Sequence, residues 1–395
     1  MYRYIKYIYT LLFLSSISHA VWGLFFLYSQ PVKIFSSSCL WMALILIVKT
    51  TLLYKNKKRR IIDWLVISLL FITCMQFFRF FIFENGENLI TTMTNPYYGL
   101  CLCIPVLYYA TNSFVALKFI YKYGLILAFI SSVICMRSNY YVMYLMPIFI
   151  HYGIYLKIKS KIFIYLILLF SFIFILKDAF VPDKLTGDSQ RALLIPLLYT
   201  FAIFIAKKIK KIYRLIAVFI AIISITLPIS LFCYSIVTNE SIFQQMNNIE
   251  DEKLSVDTRT FLYVELLTDL KKNDSYLQGL GITKGYYSPY FSQRISDLRD
   301  VNEVHFLHYL MRGGGIWLIL YMVVIIYSIF YAIKKSNNYL CLGGSIILSG
   351  YFFAGFICDI NSFNFIHVIL WFFISVCSSP KWNQLSNIEI LKLIK

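Results

Sequence analysis

The sequence is short of charged residues. Asp, Glu, Lys and Arg make up 14% of the chain, against about 25% in an ordinary soluble domain. Hydrophobic residues make up 59% of the chain, and the mean hydropathy is +0.71. The apolar residues fall in separate runs of about 20 residues, each long enough to cross a bilayer core of about 30 Å. This composition excludes an ordinary soluble domain and predicts an all-α integral membrane protein with many spans.

Signatures of energy-coupled transport and of hydrolysis are also absent. No Asp or Glu falls in the middle of a predicted span, where proton- and sodium-coupled transporters usually keep ionisable groups. The chain contains no Walker A sequence, no His-Glu-x-x-His and no Gly-x-Ser-x-Gly. These absences argue against an ATP-driven pump, an intramembrane metalloprotease and a serine esterase.

The cysteines do not form a framework for disulfides or metal. All nine lie in or beside apolar runs, and none falls in the hydrophilic stretch 238–303. The spacing Cys101-x-Cys103 is too tight for a usual zinc pair. The sequence therefore predicts neither a disulfide framework nor a zinc site.

The positive charge lies in short clusters between the apolar runs. The net charge is +18, but the clusters do not form a basic groove interleaved with aromatic residues, so a nucleic-acid partner is not expected. They follow the positive-inside pattern of polytopic membrane proteins. The clusters lie at 54–60, 157–161, 207–214 and 334–336.

Twelve spans fit the sequence best, with both termini in the cytoplasm. The spans are 7–28, 34–54, 61–83, 94–111, 119–136, 140–156, 162–176, 192–206, 215–237, 314–333, 339–358 and 364–378. This predicts a nine-span region over 1–237, one large outward loop over 238–303, a surface helix with three spans over 304–378, and a cytoplasmic tail over 379–395.

The outward loop holds 11 of the 19 acidic residues of the chain. Asp257 or Ser255 can cap a loop helix that runs to about Lys271. The stretch 277–291 mixes Gly, Pro and aromatic residues, so it is expected to be irregular. The three glycines at 313–315 predict a break between a surface helix and the tenth span.

Three features on the outward side could bind or transform a substrate. Arg191 lies at the outer start of the eighth span, and Arg259 lies in the first turn of the loop helix. His305, His308 and Arg312 follow the spacing i, i+3, i+7, which puts them on one helix face. A histidine there is a plausible base, because its pKa lies near neutrality.

Arginine at a helix start is unusual, because the helix N-terminus already carries partial positive charge. Free N–H groups with a guanidinium fork suit a phosphate or diphosphate. The structural alternative pairs Arg259 with Asp257, and lets Arg191 snorkel or pair with Asp188. Arg79, near the outer end of the third span, could snorkel or bind a lipid phosphate.

These motifs resemble those of the O-antigen polymerase and O-antigen ligase superfamily. The resemblance lies in an Arg at an outer span start, then "TRTFLYVELL", then "GLG" at 279–281, and then "VHFLHYLMRGGGIWLILYM" entering the membrane. Its motifs fall between about 185 and 330. The family's loop histidine is usually followed by Asn in the ligases, whereas Phe306 follows His305 here, which favours the polymerase.

The resemblance implies a glycosyltransferase of the bacterial inner membrane with a periplasmic active face. Its substrate would be an oligosaccharide on undecaprenyl diphosphate, with no cofactor, metal or nucleotide sugar. Arg191 and Arg259 would hold the diphosphate, and His305 would take the place of the family's histidine. Membrane lipid, a chain-length regulator and a flippase of the same pathway are the other expected partners.

Several assignments stay open at this point. Glu303 or Asp257 could replace His305 as the base that deprotonates the acceptor hydroxyl. The tyrosines of the loop suit sugar hydroxyls and faces. The further candidates for substrate binding are Arg79, His308, Arg312, Tyr286, Tyr287 and Lys284. A ligase that transfers glycan to a lipid A core and a flippase for lipid-linked sugars are the alternative functions.

Overall fold

The fold is known from a computed structural model of the 395-residue chain. The structure describes residues 2–25, 30–52, 60–83, 89–130, 212–238, 258–289, 298–357 and 365–394, with single positions at 162, 166, 169, 173, 202 and 203. The predicted spans 140–156, 162–176 and 192–206 therefore lie outside the described residues, apart from those single positions.

The described residues are predominantly helical. The helices are α1 Tyr2–Phe25, α2 Gln30–Leu52, α3 Ile61–Phe83, α4 Leu89–Thr94, α5 Gly99–Leu102, α6 Leu107–Thr111, α7 Phe114–Phe129, α8 Tyr213–Thr238, α9 Thr258–Lys272, α10 His305–Lys335, α11 Tyr339–Ala354, α12 Phe365–Cys377, α13 Pro380–Gln384 and α14 Asn387–Ile394. Two short strands, β1 Tyr286–Tyr287 and β2 Leu298–Arg299, pair antiparallel, with Tyr286 opposite Arg299 and Tyr287 opposite Leu298.

Several helices have the length and apolarity of membrane spans. Four helices described here qualify: Pro31–Thr51, Ile61–Phe83, Tyr213–Tyr234 and His305–Lys335. A fifth is obtained if the bent pair Gly99–Thr111 and Phe114–Phe129 counts as one span, and Tyr339–Ala354 and Phe365–Cys377 are shorter apolar helices. The protein is therefore a helical protein of membrane character.

The predicted span 94–111 is not one continuous helix. It is divided into α4, a turn at 95–98, α5, a 3₁₀ turn over Ile104–Val106, and α6. Pro96 disfavours helical backbone at Asn95, and Pro105 cannot donate the hydrogen bond of a regular helix. Ser113 then caps α7 by accepting a hydrogen bond from the Val115 amide at 3.3 Å. The chain bends by 120° between α6 and α7.

The predicted break at 313–315 is confirmed. Gly314 has φ +79° and ψ 174° inside α10, a conformation that only glycine adopts readily. The break divides α10 into a first part over 305–313 and a longer part over 315–335. The longer part can span a bilayer on its own, since about 20 residues suffice.

The helix bundle has two ends that differ in what covers them. At one end, α3 finishes and α10 begins, and residues 258–289 and 298–304 lie over the helices; we call this the loop end. At the other end, α13 and α14 close the bundle, and we call this the tail end. There Arg60 donates to Ser378 O at 3.3 Å, and Arg214 donates to Ser336 O at 2.9 Å.

Candidate functional site at the loop end

The loop helix α9 lies against the bundle along one apolar face. Leu262, Leu266 and Leu270 recur every four residues and are buried, as are Tyr263 and Leu267. The Tyr263 hydroxyl donates to the main-chain carbonyl of Phe356, just after α11. The predicted helix in the loop is thus confirmed over Thr258–Lys272, and its predicted caps, Asp257 and Ser255, lie outside the described residues.

The segment after α9 joins the break in α10 through main-chain hydrogen bonds. The Leu280 amide donates to Met311 O at 2.8 Å, and the Gly315 amide donates to Tyr276 O at 2.7 Å. Gly279, with φ +73°, faces Gly314 across this junction. A Cβ on Gly314 would lie 2.2 Å from Leu277 O, and one on Gly279 would lie 2.7 Å from the Gly314 nitrogen.

We call this contact between residues 276–281 and 311–316 the glycine junction. It explains in physical terms why the chain has glycines in the segments 279–281 and 313–315. The backbones approach so closely that no side chain fits between them. The amides that the helix break would leave without partners donate to loop carbonyls, which satisfies buried polar groups. The start of the longer part of α10 is therefore occupied by loop carbonyls.

Two polar side chains of α3 also hold the glycine junction. The Gln76 amide donates to Gln278 O at 2.8 Å and to Gly313 O at 3.2 Å. Arg79 Nη1 donates to Gln278 O at 3.2 Å and to Gly279 O at 3.1 Å. Gln76 is buried and Arg79 is half-buried. Gln76 was not singled out in the sequence, because a lone Gln in an apolar span does not show its partner.

Arg312 is fully buried and binds main-chain carbonyls of the loop. Nη1 donates to Lys284 O at 2.9 Å and to Gly281 O at 3.3 Å, and Nη2 donates to Asp300 O. The guanidinium carbon lies 4.7 Å from the centre of the Tyr98 ring, a cation–π distance. Arg312 therefore fastens the loop through these carbonyls, and its contact with substrate stays a prediction.

Tyr98 links the same cluster to a carboxylate. Its hydroxyl donates to Asp300 Oδ2 at 3.1 Å. Burial and the neighbouring Asp300 carboxylate raise the pKa of Tyr98, so the phenol stays protonated and keeps donating at neutral pH. Tyr98 was not singled out in the sequence, because its proximity to Asp300 depends on the turn at 95–98.

His308 is held on both ring nitrogens. Its Nδ1 accepts from the Asn302 amide at 3.4 Å, and its Nε2 donates to Tyr97 O at 2.8 Å. Asn302 Oδ1 also accepts from the Val304 amide at 2.9 Å, next to the first residue of α10. His308 and Arg312 both contact the turn at 95–98, whereas His305, predicted on the same face, contacts Tyr351.

His305 faces the interior of the bundle. It is fully buried, and its Nε2 hydrogen-bonds the Tyr351 hydroxyl of α11. The Tyr351 hydroxyl lies 2.8 Å from the Tyr321 hydroxyl. The ring centres of His305 and His367 are 6.0 Å apart. This arrangement fixes the orientation of His305 through Tyr351, within a buried cluster of aromatic and histidine rings.

The two strands present one buried and one exposed side. Tyr286 is fully buried, whereas 50% of Tyr287 is exposed. Burial raises the pKa of Tyr286, which also lies near Arg299, Glu265 and Glu303. The Lys284 side chain is exposed at the surface, while its main-chain carbonyl accepts a hydrogen bond from Arg312. Tyr287 and Lys284 are thus the two of these candidates whose side chains are exposed to solvent.

Two carboxylates lie beside the strands. Glu303 pairs with Arg299 at 2.5 Å, and 41% of the Glu303 side chain is exposed. Glu265 accepts from the Ser288 hydroxyl at 2.6 Å. Sequence reasoning missed Glu265, because a glutamate in a loop helix carries no signal of its own. Among the described residues, no group of three or more His, Cys, Asp or Glu side chains could hold a metal ion.

Of the remaining predicted site residues, the structure describes only Arg259. Arg259 is the second residue of α9, in a first turn that holds no acidic residue. Arg191 and Asp257 lie outside the described residues.

The fold and the site together define a helical membrane-type protein with a loop fastened over one end of its bundle. Compared with models of protein families, with curated proteins and with solved structures, the chain gives no significant match.

Proposed function

We propose that this protein is a polymerase of O-antigen or a similar surface polysaccharide. It would span the bacterial inner membrane twelve times, with both termini in the cytoplasm and the loop end in the periplasm. It would transfer the growing glycan from one undecaprenyl diphosphate to a new lipid-linked repeat unit. Donor and acceptor are both anchored in the membrane, so holding them side by side supplies proximity.

The observation that carries the proposal is the position of Arg259 in the first turn of α9. α9 packs on the bundle through Leu262, Leu266 and Leu270, and the first turn of a helix offers free backbone amides. Such amides, together with an arginine of the same turn, suit an anionic diphosphate. Arg191, at the start of the predicted eighth span, would contribute a second guanidinium.

In the proposed reaction, an acceptor hydroxyl oxygen forms a bond to C1 of the donor sugar. The bond between C1 and the diphosphate oxygen breaks, and the diphosphate leaves with the bonding electrons. Negative charge builds on the leaving group as that bond breaks, and fixed guanidinium groups lower the barrier by stabilising it. The configuration at C1 is inverted.

The acceptor proton passes to a base, for which Glu303 is the strongest of the three candidates. Its carboxylate is 41% exposed and lies near Tyr286, where a glycan can reach it. His305 is fully buried against Tyr351, so we assign it to positioning the first part of α10. Asp257 directly precedes α9 and is the second candidate.

One observation favours a different function. The bend of 120° between Gly99–Thr111 and Phe114–Phe129 is a discontinuity of the kind that transporters use at substrate sites. A flippase for lipid-linked oligosaccharides is therefore the second candidate. The ligase differs from the polymerase only in its acceptor, and the sequence after His305 favours the polymerase.

The three functions differ in what accumulates without the protein. We would delete the gene and complement the strain with wild type, Arg259→Ala or Lys271→Ala, and then separate the lipopolysaccharide on a gel. Lys271 is an exposed basic residue at the opposite end of α9, so it controls for loss of charge. A polymerase predicts a ladder that collapses to core plus one repeat unit and returns with wild type and Lys271→Ala only.

Other outcomes contradict the polymerase. Loss of every glycan-bearing band, with polymer accumulating on undecaprenyl diphosphate, identifies a ligase. Single repeat units that accumulate on the cytoplasmic side identify a flippase.

A further inference from the structure

Arg79 differs from Arg312 in having part of its guanidinium available. Both of its hydrogen bonds to described residues start at Nη1. Its Nε and Nη2 make none within the part of the chain that the structure describes, and the side chain is only half-buried. The remaining edge of the fork has the geometry that binds two oxygens of a phosphate.

A role in holding the glycine junction does not by itself explain why α3 carries an arginine at position 79. Gln278 O already accepts from the buried Gln76 amide at 2.8 Å, a shorter bond than the 3.2 Å to Arg79. Gln76 also holds Gly313 O from the other side of the junction. A guanidinium near a membrane surface would therefore be partly redundant if its role were structural alone.

The position of Arg79 along α3 suits a lipid headgroup. Arg79 follows Ile61, the first residue of α3, by about 27 Å of helix rise, close to the thickness of a bilayer core of about 30 Å. An arginine at that depth can reach the phosphates of the membrane surface.

The surface beside Arg79 suits a lipid chain. Four large apolar residues at spacings of four, three and four form one row on α3, and Arg79 lies next to this row. Their exposed fractions are 65% for Phe71, 51% for Met75, 61% for Phe78 and 48% for Ile82. One cation at the top of an apolar row complements a lipid with an anionic headgroup and a long apolar chain.

From these observations we infer that Arg79 and the row Phe71, Met75, Phe78 and Ile82 bind the diphosphate lipid donor as it enters from the membrane. This inference rests on the proposed function, because it identifies the lipid as the polyprenyl diphosphate of that reaction. The guanidinium binds the diphosphate oxygens while Nη1 stays on the loop carbonyls. Arg79 thereby joins the lipid to the glycine junction.

The test is direct binding to the purified full-length protein. Undecaprenyl diphosphate would be titrated into wild type, Arg79→Gln and Gln76→Leu, with bound lipid counted by native mass spectrometry. Gln76→Leu is the matched control, because it loosens the same junction and keeps the guanidinium. Arg79→Gln is expected to weaken binding at least about tenfold, as loss of a charge-assisted contact does, and Gln76→Leu to change it less than about twofold.

Three results would overturn the inference. Arg79→Gln could bind as tightly as wild type, or Gln76→Leu could lose as much binding, which would mean that Arg79 acts through the loop. Phosphatidylglycerol could displace the diphosphate lipid at equal concentration, which would make this an ordinary phospholipid site. If Arg79→Gln does not fold, Arg79→Lys replaces it, with an intermediate loss expected because lysine keeps the charge and lacks the fork.

Failure of this inference and failure of the proposed function are distinguishable. Arg79-dependent binding with an intact polysaccharide ladder in the deletion strain would keep the lipid site and refute the polymerase. Binding that is independent of Arg79, together with a collapsed ladder, would refute the lipid site and keep the polymerase.

Discussion

Arg312 shows how far a single residue can be interpreted from sequence. Its charge and its place on a helix face with His308 suggested a contact with substrate. In the structure its guanidinium donates hydrogen bonds to the main-chain carbonyls of Gly281, Lys284 and Asp300. The sequence could not show this, because the carbonyls come together only when the loop after α9 has folded over α10.

Replacing Arg312 tests whether it fastens the loop. Arg312→Lys is expected to release the segment 273–289, because an ammonium cannot serve three carbonyls in the geometry of a fork. Each lost bond to a charged donor contributes about 1.5–3 kcal/mol. The measurement is the rate of trypsin cleavage after the exposed Lys284, which should rise at least about tenfold, as about 1.4 kcal/mol of easier opening implies.

Lys271→Gln provides the control for this experiment, because it removes an exposed basic residue of the same loop. Its cleavage rate at Lys284 should equal that of wild type. An unchanged rate in Arg312→Lys would show that the carbonyl bonds do not hold the segment.

At the scale of elements, the break in α10 was predictable and the breaks in α4–α6 were missed. Three consecutive glycines weaken a helix and give the backbone the freedom for a break. The run 94–111 is apolar enough to mask its own signals, which are Pro96, Pro105 and the cap at Ser113. Hydropathy outweighed these local signals in the prediction, and the turn at 95–98 that binds His308 and Arg312 was lost with them.

The glycine junction makes a prediction about two adjacent positions. Gly314→Ala is expected to be destabilising by at least about 1–2 kcal/mol, because a side chain at positive φ is strained. Its Cβ would also meet Leu277 O at 2.2 Å. Gly315→Ala should be milder, since Gly315 has no positive φ and its nearest contact is 3.0 Å, to Tyr276 O.

Thermal unfolding of both variants in detergent measures this difference. Gly314→Ala should melt at least about 1–3 °C below wild type, and below Gly315→Ala. Equal melting temperatures for the two variants would mean that the junction is not close-packed.

At the scale of the molecule, the sequence predicts a helical membrane protein, but it predicts the arrangement of the two bundle ends only in outline. Apolar runs identify membrane helices, because the requirement is set by bilayer thickness. The networks that close each end cannot be predicted this way. Asn338 donates to Trp382 O at 2.7 Å and to Leu385 O at 3.0 Å, and such bonds between distant segments leave no local trace in sequence.

The loop end and the tail end should lie on opposite sides of the membrane. A membrane-impermeant maleimide applied to cells with a permeabilised outer membrane should label Lys284→Cys. Lys392→Cys, in α14 at the tail end, should react only after lysis. The unmodified protein gives the background from its own nine cysteines. Labelling of both variants from the same side would contradict the predicted topology.

The most direct test of the proposed function uses the purified full-length protein in lipid vesicles. Single repeat units on undecaprenyl diphosphate, isolated from the native host, would be the sole substrate. The account predicts glycans of two or more units, with one undecaprenyl diphosphate released for each new glycosidic bond. Arg259→Ala should lower the rate at least about a hundredfold, as loss of a charge-stabilising group does. Repeat units that stay single with folded wild-type protein would contradict the account.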